Sequence, residues 1–438
     1  MNKTLLDHMQ NDGFAGYAYA YPHKTSYRRL DPTIELAEAW KAEAKEALFL
    51  YVHLPFCEFR CGFCNLFTTV HPADDFVAKT LSAIQRQSRV VANAIEPGRI
   101  CQLAFGGGTP SFLSTTELND LFADLNKTWP IDFRAAHSSF EVSPATIDSE
   151  KITLLKSWHI DRISMGVQSF SAADLKQLGR PQSEREVLLA IDTIQQGSFP
   201  VFNLDLIYGI EGQTESSWME TVERTIEINP EEIFLYPLYV RALTGLQKTR
   251  KSPSEHRREL FQLARDALVS VGYQQCSMRL FRRKDINSTS DYCCQEDGMI
   301  GLGPGARSYT GGLHYSSEYA VGQKGVRQII ASFNDQPDQA FAVADYGVEL
   351  NLNEQRRRYL IKSLLHFTGL DRSAYKLRFA SPVFEDFPQL AELLELDLAV
   401  VTEELIQLTP TGLSWSDVIG PWLYSDNVNS RMEEFELA

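Results

Sequence analysis

The stretch LFLYVHLPFCEFRCGFC, residues 48–64, predicts both a strand and the chemistry at its end. Its first part, LFLYVHL (48–54), is an apolar run of strand length. Cys57, Cys61 and Cys64 follow it directly at a C-x3-C-x2-C spacing. Because ligands gather at the carboxyl ends of strands in parallel α/β folds, this loop is a candidate site.

Further apolar runs, bounded by turn residues, repeat along the chain with amphipathic helical stretches between them. They predict alternating βα units whose strands are parallel and buried on both faces. Thr115 and Ser149 lie where two of the helices need an N-cap. Six such units can form an open doubly wound sheet or an incomplete barrel. The six predicted strands are 48–54, 102–105, 139–143, 163–167, 202–209 and 232–238.

Unusual polar residues end the predicted strands. The glycine run GGGTP (106–110) follows the second strand, and Glu141, Gln168 and Asp205 end the next three. Glycine lets the backbone approach a ligand closely, and carboxylates suit ribose hydroxyls or an ammonium group. The glycines also fit a tight turn, and the acids fit a helix cap or a buried ion pair. Consecutive strands therefore direct polar chemistry to one face.

Composition limits the function. Among 438 residues, 42 are basic and 57 acidic, which gives a net charge of −15. This balance argues against a nucleic-acid partner, because the phosphate backbone favours basic surfaces. No apolar run approaches the ~18 residues that would span a bilayer, and the N-terminus lacks a signal-peptide core. We therefore expect a cytoplasmic protein without a membrane span.

The seven cysteines favour metal binding over disulfides. Their number is odd, and clustered cysteines in a reducing compartment more often hold metal. Three closely spaced thiolates suit an iron–sulfur cluster with one iron left open. The alternative is a zinc site with His53 or His71 as the fourth ligand. Structural zinc usually draws on a second, more distant ligand pair, which this sequence lacks.

The cysteine motif resembles that of the radical S-adenosylmethionine (SAM) enzymes. The lead-in YVHLPFC (51–57) is similar to the subgroup built around oxygen-independent coproporphyrinogen III oxidase and its heme-chaperone relative. The resemblance covers about residues 48–425. It continues in order through AFGGGTPSFL (104–113), FEVSPATID (140–148), RISMGVQSF (162–170), LGRPQ (178–182) and NLDLIYGI (203–210).

This resemblance implies an α/β fold, an incomplete (β/α)6 barrel of the TIM type with a small C-terminal winged-helix-like domain. Cys57, Cys61 and Cys64 would ligate three irons of a [4Fe–4S] cluster, and the fourth iron would bind SAM. Reduction by a donor such as flavodoxin or ferredoxin would cleave SAM and give a 5′-deoxyadenosyl radical. The residues that would contact SAM are Tyr51, Gly107, Gly108, Thr109, Glu141, Gln168, Arg180 and Asp205.

Four segments are predicted along the chain. An N-terminal aromatic arm (1–46) precedes the barrel (47–282), a glycine-rich connecting segment (283–345) follows, and the C-terminal domain occupies 346–438. The C-terminal prediction depends on a helix closed by Gly369 and on a hairpin that pairs LDLAVVT (396–402) with LIQLTP (405–410).

The N-terminal arm alternates tyrosines with small or polar residues. It fits an edge strand, a lid over the site or an arm packed on the barrel. His23, Lys24 and Arg28 would suit a planar or anionic substrate. His314 and Tyr315 are candidates for the same mouth. The arm tyrosines are Tyr17, Tyr19, Tyr21 and Tyr27.

The sequence departs from both named relatives. The oxidase has a further cysteine two residues after the third one, where this chain has Leu66. The chaperone has a His-Asn pair and a Tyr-Trp pair where this chain has Cys293 and Cys294, which are candidate catalytic residues. Three functions therefore stay open: radical chemistry on a tetrapyrrole or other carboxylated small molecule, methyl transfer with two SAM molecules, and heme carriage.

Overall fold

The computed structural model describes residues 3–11, 13–14, 16–18, 20–286 and 292–436. Tyr19 of the predicted arm lies outside the described residues, as does part of the segment before Cys293. The N-terminal region holds helix α1 (Leu5–Asn11), strand β1 (Arg28–Glu35) and helix α2 (Leu36–Ala39).

Six βα units follow and form the centre of the molecule. All six predicted strands are present, with ends within about two residues of the predicted ones. The six main strands are β2 (Leu48–Leu54), β5 (Ile100–Gly107), β6 (His137–Val142), β7 (Arg162–Gln168), β8 (Val201–Tyr208) and β9 (Glu232–Pro237). Two further short strands, β3 (Phe56–Cys57) and β4 (Thr69–Val70), lie between β2 and the first helix. The helices are α3 (Asp74–Ile95), α4 (Thr115–Thr128), α5 (Ser149–Ser157), α6 (Ala172–Gln177), α7 (Glu184–Gly197), α8 (Glu215–Ile228) and α9 (Ser254–Ser270).

The main strands pair in parallel in the order β2-β5-β6-β7-β8-β9, with helices between consecutive strands. This topology confirms the predicted incomplete barrel of six βα units. The sheet extends beyond β9 through the antiparallel strands β10 (Tyr273–Gln275) and β11 (Leu280–Arg283). The two short strands β3 and β4 pair only with each other and brace the cysteine loop.

The predicted connecting segment 283–345 is instead part of the main sheet. It supplies β12 (Met299–Leu302), β13 (Arg307–Tyr309) and β14 (Leu313–Ser316), then helix α10 (Gln323–Asp335) and the start of β15 (Val343–Glu349). Strand β12 pairs in parallel with β2, and β13, β14, β15 and β1 continue the sheet. Gly301 allows β12 and β13 to pack closely, because a Cβ at this position would lie 2.4 Å from the carbonyl oxygen of Arg307.

The C-terminal region packs around a second hydrophobic core. Leu5, Ala18 and Tyr21 belong to that core, so part of the N-terminal arm is built into it. The predicted hairpin is present. The elements are α11 (Leu352–Leu364), β16 (Leu370–Asp371), α12 (Arg372–Phe379), α13 (Val383–Asp386), α14 (Ala391–Glu395), β17 (Ala399–Val401), β18 (Leu405–Leu408), α15 (Pro410–Ser414), α16 (Ser416–Trp422) and α17 (Asp426–Glu433). Short 3-10 helices occur at Lys24–Ser26, Pro110–Phe112, Asp338–Ala342 and Pro388–Leu390.

Two helices begin one residue earlier than the predicted caps imply. Ser114, not Thr115, is the N-cap of α4, because its hydroxyl accepts the Glu117 amide while the Glu117 carboxylate accepts the Ser114 amide. Asp148, not Ser149, caps α5 by accepting the amide of Lys151.

The strands of the barrel keep one face accessible to solvent. Along β2, Leu50 and Val52 are fully buried beneath the helices, whereas Phe49 and Tyr51 on the opposite face are partly exposed. Strand β9 alternates in the same way. The exposed or partly exposed strand positions also include Glu141 of β6 and Asp205 of β8. No described helix combines the length and hydropathy needed to cross a bilayer.

A buried ion pair joins the barrel to the C-terminal region. The Arg279 guanidinium donates to both carboxylate oxygens of Asp417 at 2.7 and 2.8 Å, and both side chains are at most 3% exposed. Tyr239 on the barrel side donates to the same carboxylate. The Tyr17 ring lies 3.7 Å from the Arg279 guanidinium carbon, so the N-terminal arm closes over the pair.

Removing the acid from this pair should destabilise the fold. In Asp417→Asn the Arg279 charge stays buried without its counter-charge, which typically costs about 3–5 kcal/mol. The matched control is Asp266→Asn, whose pair with Arg265 is also 2.7 Å long but exposed, so we expect a loss below about 1 kcal/mol. Urea unfolding measures both free energies, and equal losses would contradict the importance of burial.

Candidate active site

One cavity lies at the carboxyl ends of the parallel strands. All three clustered cysteines line it, together with most of the residues predicted to contact SAM. The strand-end chemistry seen in the sequence therefore converges on one place, as the parallel topology requires. The predicted residues in its lining are Cys57, Cys61, Cys64, Gly108, Thr109, Glu141, Gln168, Arg180 and Asp205.

Backbone hydrogen bonds fix the cysteine loop. The Gly62 amide donates to the Leu178 carbonyl, and the Gly62 carbonyl accepts the Leu246 amide, both at 2.9 Å. A Cβ on Gly62 would lie 2.8 Å from the Leu178 carbonyl oxygen, so this position requires glycine. The Cys64 amide donates to the Cys61 carbonyl at 3.1 Å and turns the third cysteine back towards the second.

The cysteine thiols lie in a site that disfavours their free anions. Burial raises the pKa of Cys57 to about 12, and burial also raises the pKa of Cys64. The hydroxyls of Thr68 and Thr109 offset this effect only in part. The thiolates therefore need a positive partner, which a bound metal cluster provides when it displaces the protons.

The cavity fits an iron–sulfur cluster better than a zinc ion. His53 is not turned to the cysteines, because its Nε2 lies 2.9 Å from the Phe67 carbonyl oxygen and its Nδ1 3.2 Å from the Tyr51 hydroxyl. Three thiols around one cavity suit three corners of a larger cluster.

The glycine run is shaped by neighbouring protein groups. A Cβ on Gly106 would lie 2.9 Å from the Glu141 carboxylate, and one on Gly107 would lie 2.6 Å from the His53 ring. A Cβ on Gly108 would lie 2.4 Å from the Phe56 carbonyl oxygen. The run therefore lets β5 approach both the cysteine loop and the strand-end acid, in addition to any ligand.

Two acids face the cavity, Glu141 from β6 and Asp205 from β8, with β7 between them. Burial, with help from the Asp205 charge, raises the pKa of Glu141 to about 7, and burial raises the pKa of Asp205 to about 6. Solvent reaches Glu141 through the cavity, although protein atoms pack closely around the rest of it. Asn203 donates to Asp205 at 2.8 Å. Both carboxylates would be stabilised by a cationic or hydroxyl-bearing ligand.

Arg180 and Gln168 connect the cysteine loop to the end of β7. Arg180 donates to the Cys61 sulfur at 3.0 Å and to the Gly166 carbonyl at 2.6 Å. Arg180 therefore does not form the surface salt bridge that is common for an arginine in a loop. Gln168 has a positive φ of 71° at an irregularity in the β7–β8 pairing, an uncommon conformation for a side-chain-bearing residue.

Four predicted site residues do not line the cavity. The Tyr51 hydroxyl lies 3.2 Å from His53 Nδ1, and Gly107 packs against the same His53 ring. Cys293 and Cys294 lie beside the C-terminal region, where Arg358 donates to the Cys294 carbonyl at 2.6 Å. Burial raises the pKa of Cys293 to about 11, the opposite of what a reactive thiolate needs. The alternative zinc ligand His71 is also absent from the lining.

The cavity contains further polar residues that the sequence interpretation missed. Thr68 places its hydroxyl beside the thiols of Cys57 and Cys64. Ser164 accepts a hydrogen bond from Asn203, which also donates to Asp205. Ser164 and Asn203 could have been identified from the sequence, because they lie at inward-facing positions before the strand ends. Thr68 could not, since it follows the cysteine motif in an irregular loop.

Comparison with known proteins agrees with this geometry. The chain is 28% identical to the oxygen-independent coproporphyrinogen III oxidase of Escherichia coli over 433 residues, covering 90% of this chain and 91% of that protein. It is 25% identical to the heme chaperone HemW of Bacillus subtilis, covering 85% of this chain and 98% of that protein. The solved structure of the E. coli oxidase matches with a TM-score of 0.77 and 25% identity, covering 91% and 96% of the two chains.

The model of the radical SAM superfamily matches residues 51–225, which contain the three cysteines and all the strand-end residues discussed above. The cofactors of this superfamily are a [4Fe–4S] cluster and SAM, and the donor set of the cavity fits both. Residues 51–225 therefore match the radical SAM superfamily, and the chain as a whole is similar to coproporphyrinogen III oxidase-like proteins.

Proposed function

We propose that this protein is a radical SAM enzyme that acts on a tetrapyrrole-like or other carboxylated small molecule. Cys57, Cys61 and Cys64 would hold the cluster, and a flavodoxin- or ferredoxin-type donor would reduce it in the cytoplasm. The convergence of three thiols and two carboxylates on one cavity carries the proposal. The SAM-contacting residues would be Tyr51, Gly107, Gly108, Thr109, Glu141, Gln168, Arg180 and Asp205.

The chain's own residues would bind and orient the cofactors. Cys57, Cys61 and Cys64 would hold a [4Fe–4S] cluster that would supply the electron for SAM cleavage when bound. Glu141 and Asp205 would hold the amino group or the ribose hydroxyls, since both lie at strand ends beneath the cysteine loop. Arg180 would fix the position of the Cys61 sulfur and lessen its negative charge.

The relatives differ in function, since some are named coproporphyrinogen III oxidase and others heme chaperone. Leu66 occupies the position of the oxidase's additional cysteine, which argues against the oxidase reaction, and methyl transfer with two SAM molecules is the second candidate. The relatives named heme chaperone make a carrier the third. Cys293 and Cys294 lie away from the cavity and are proposed only as substrate-side residues.

Product analysis separates these functions. We expect the anaerobically reconstituted protein, given reductant, SAM and coproporphyrinogen III, to release 5′-deoxyadenosine. A vinyl product would identify the oxidase reaction, and S-adenosylhomocysteine would identify methyl transfer. Mass spectrometry measures all three products. A fully loaded protein that cleaves no SAM under any of these conditions would contradict an enzymatic function.

Removing the cluster cysteines should abolish metal binding. In the Cys57→Ala/Cys61→Ala/Cys64→Ala variant we expect near-complete loss of iron, sulfide and SAM cleavage, because the remaining cavity offers no soft ligands. Cys293→Ala/Cys294→Ala is the control and should retain full iron and sulfide. Iron and sulfide analysis after anaerobic reconstitution provides the measurement, and retention in the triple variant would refute the assigned ligands.

SAM binding should strengthen as the pH rises from about 5.5 to 7.5. The pKa of Glu141 is raised to about 7 and that of Asp205 to about 6, so both lose protons in this window and then attract the ligand better. Glu141→Gln should weaken SAM binding about tenfold at the upper pH and flatten the dependence. Equilibrium dialysis with Glu220→Gln, an exposed control, tests this. An unchanged pH profile in Glu141→Gln would exclude the role.

A further inference from the structure

We propose that the loop between β9 and α9 is the docking surface for a small acidic electron-carrier protein that reduces the cluster. This inference rests on the proposed function and identifies the surface at which the reductant binds. Residues 238–253 form the loop, which we call the basic loop because it contains four basic residues and no acidic one. All four are exposed, and they are Arg241, Lys248, Arg250 and Lys251.

Backbone contacts join the basic loop to the cysteine loop. The Leu246 amide donates to the Gly62 carbonyl at 2.9 Å, and Gly62 directly follows the proposed cluster ligand Cys61. A Cβ on Gly245 would lie 3.0 Å from the Gly62 Cα, so the two glycines let the backbones approach closely. A short route therefore connects the exposed surface of the basic loop with the cluster site. Electron transfer needs such a route, because its rate falls steeply as two redox groups move apart.

The positive charges of the basic loop are not neutralised by the described part of the chain. The side chains of Lys248, Arg250 and Lys251 form no ion pair or hydrogen bond with any described residue. Arg241 lies over the Tyr239 ring, with its guanidinium carbon 4.9 Å from the ring centre. Three unpaired cations thus occur within four positions of a protein whose net charge is −15. They give this surface a local field that attracts an acidic partner.

A further unpaired cation lies where helix α10 begins beside the cysteine loop. Arg60, which separates the first two cysteines, donates to the Val321 carbonyl at 2.7 Å and so holds the start of this helix. Lys324 in the first turn is exposed, and its side chain has no partner among the described residues. Glu58 is the one acidic residue in positions 57–70, and it lines the cavity. Positive charge therefore borders the cysteine loop at two places.

Exposed leucines accompany these charges. Leu243 of the basic loop and Leu66, two residues after the third cysteine, are both large apolar side chains in contact with solvent. Protein interfaces usually combine apolar contacts with a polar, charged rim. Electron-transfer partners in particular form small, transient interfaces. The composition of the two joined loops fits an interface of this kind.

An acidic protein fits this surface better than a nucleic acid. The chain as a whole is acidic and repels a long polyanion, whereas a small protein needs to meet only the local group of cations. In the docked state one electron passes from the carrier to the bound cluster. The carrier is thereby oxidised by one electron, and no bond forms or breaks. Attraction between opposite charges mainly raises the rate of association, and salt weakens it.

Reduction kinetics of the anaerobically reconstituted full-length protein test the inference. The probe is the hydroquinone form of an acidic flavodoxin, and stopped-flow absorbance of the cluster gives the second-order rate constant. In the wild type we expect this constant to fall at least about tenfold between about 20 and about 500 mM salt. The Lys248→Gln/Arg250→Gln/Lys251→Gln variant should be about tenfold slower at the low salt concentration and should lose most of the salt dependence.

A charge-matched variant and a second donor isolate the effect of the basic loop. The Lys127→Gln/Lys156→Gln/Lys376→Gln variant removes the same charge from exposed positions of α4, α5 and α12, and flavodoxin should reduce it at the wild-type rate. Reduced methyl viologen is a small cation, so it should reduce the loop variant at least as fast as the wild type.

Chemical cross-linking gives a measurement that does not depend on the cluster. A carbodiimide joins lysine amines to carboxylates, and we expect it to link flavodoxin to Lys248 and Lys251 in protein with or without the cluster. Peptide mass spectrometry identifies the linked residues. The cross-links and the salt dependence are both measured on the wild type, so the inference can fail even where a variant does not fold.

Each other outcome has a defined meaning. Equal flavodoxin rates in the two triple variants would overturn the docking surface, as would a wild-type rate that salt leaves unchanged. Wild-type protein that cleaves SAM with methyl viologen but forms no flavodoxin cross-link in the basic loop would also overturn it, while leaving the radical SAM activity intact. Protection of the loop lysines by single-stranded RNA but not by flavodoxin would refute an electron carrier as the partner. Failure of the proposed function would instead appear as absent SAM cleavage with both donors.

Discussion

The structure depends on close contact between the backbone of the glycine run and the start of the cysteine loop. The Gly108 amide donates to the Leu54 carbonyl and the Thr109 amide to the Phe56 carbonyl, at 2.8 and 2.7 Å. Any side chain at Gly108 would collide with Phe56. These two bonds set the first cysteine against the end of β5. Because β5 pairs with β6, they also set its distance from the strand-end acids.

The same contact determines the electrostatics of the site. The cysteine loop is held over the strand ends, so thiolates and carboxylates there would share a confined space and repel one another as like charges. Burial raises the pKa of Cys57, Glu141 and Asp205, so these groups favour their protonated forms unless a positive charge lies beside them. Binding of a metal cluster and of a cationic cofactor would release those protons. The site is thus built to be completed by positive charge, and each ligand favours binding of the other.

The sequence was most informative where local pattern and tertiary position coincide. Buried parallel strands and the spaced cysteines could be predicted because each is specified within a few residues. The segment 283–345 could not, since its strands are only three or four residues long and its glycines imitate a linker. Likewise, Ser114 caps its helix through Glu117, three residues on, so a pair of residues defines the cap and no single position does. Thr68 lines the cavity from an irregular loop, for which no local pattern exists.

The N-terminal arm ties the C-terminal region to the barrel. Leu5, Ala18 and Tyr21 pack into the C-terminal core, while the Tyr17 ring lies against the Arg279 guanidinium. Arg279 in turn pairs with the buried Asp417, so the arm, the barrel and the C-terminal region share one buried contact. Displacing the arm would expose this ion pair to water and weaken the docking of the C-terminal region on the barrel, since the pair is held by a desolvated geometry.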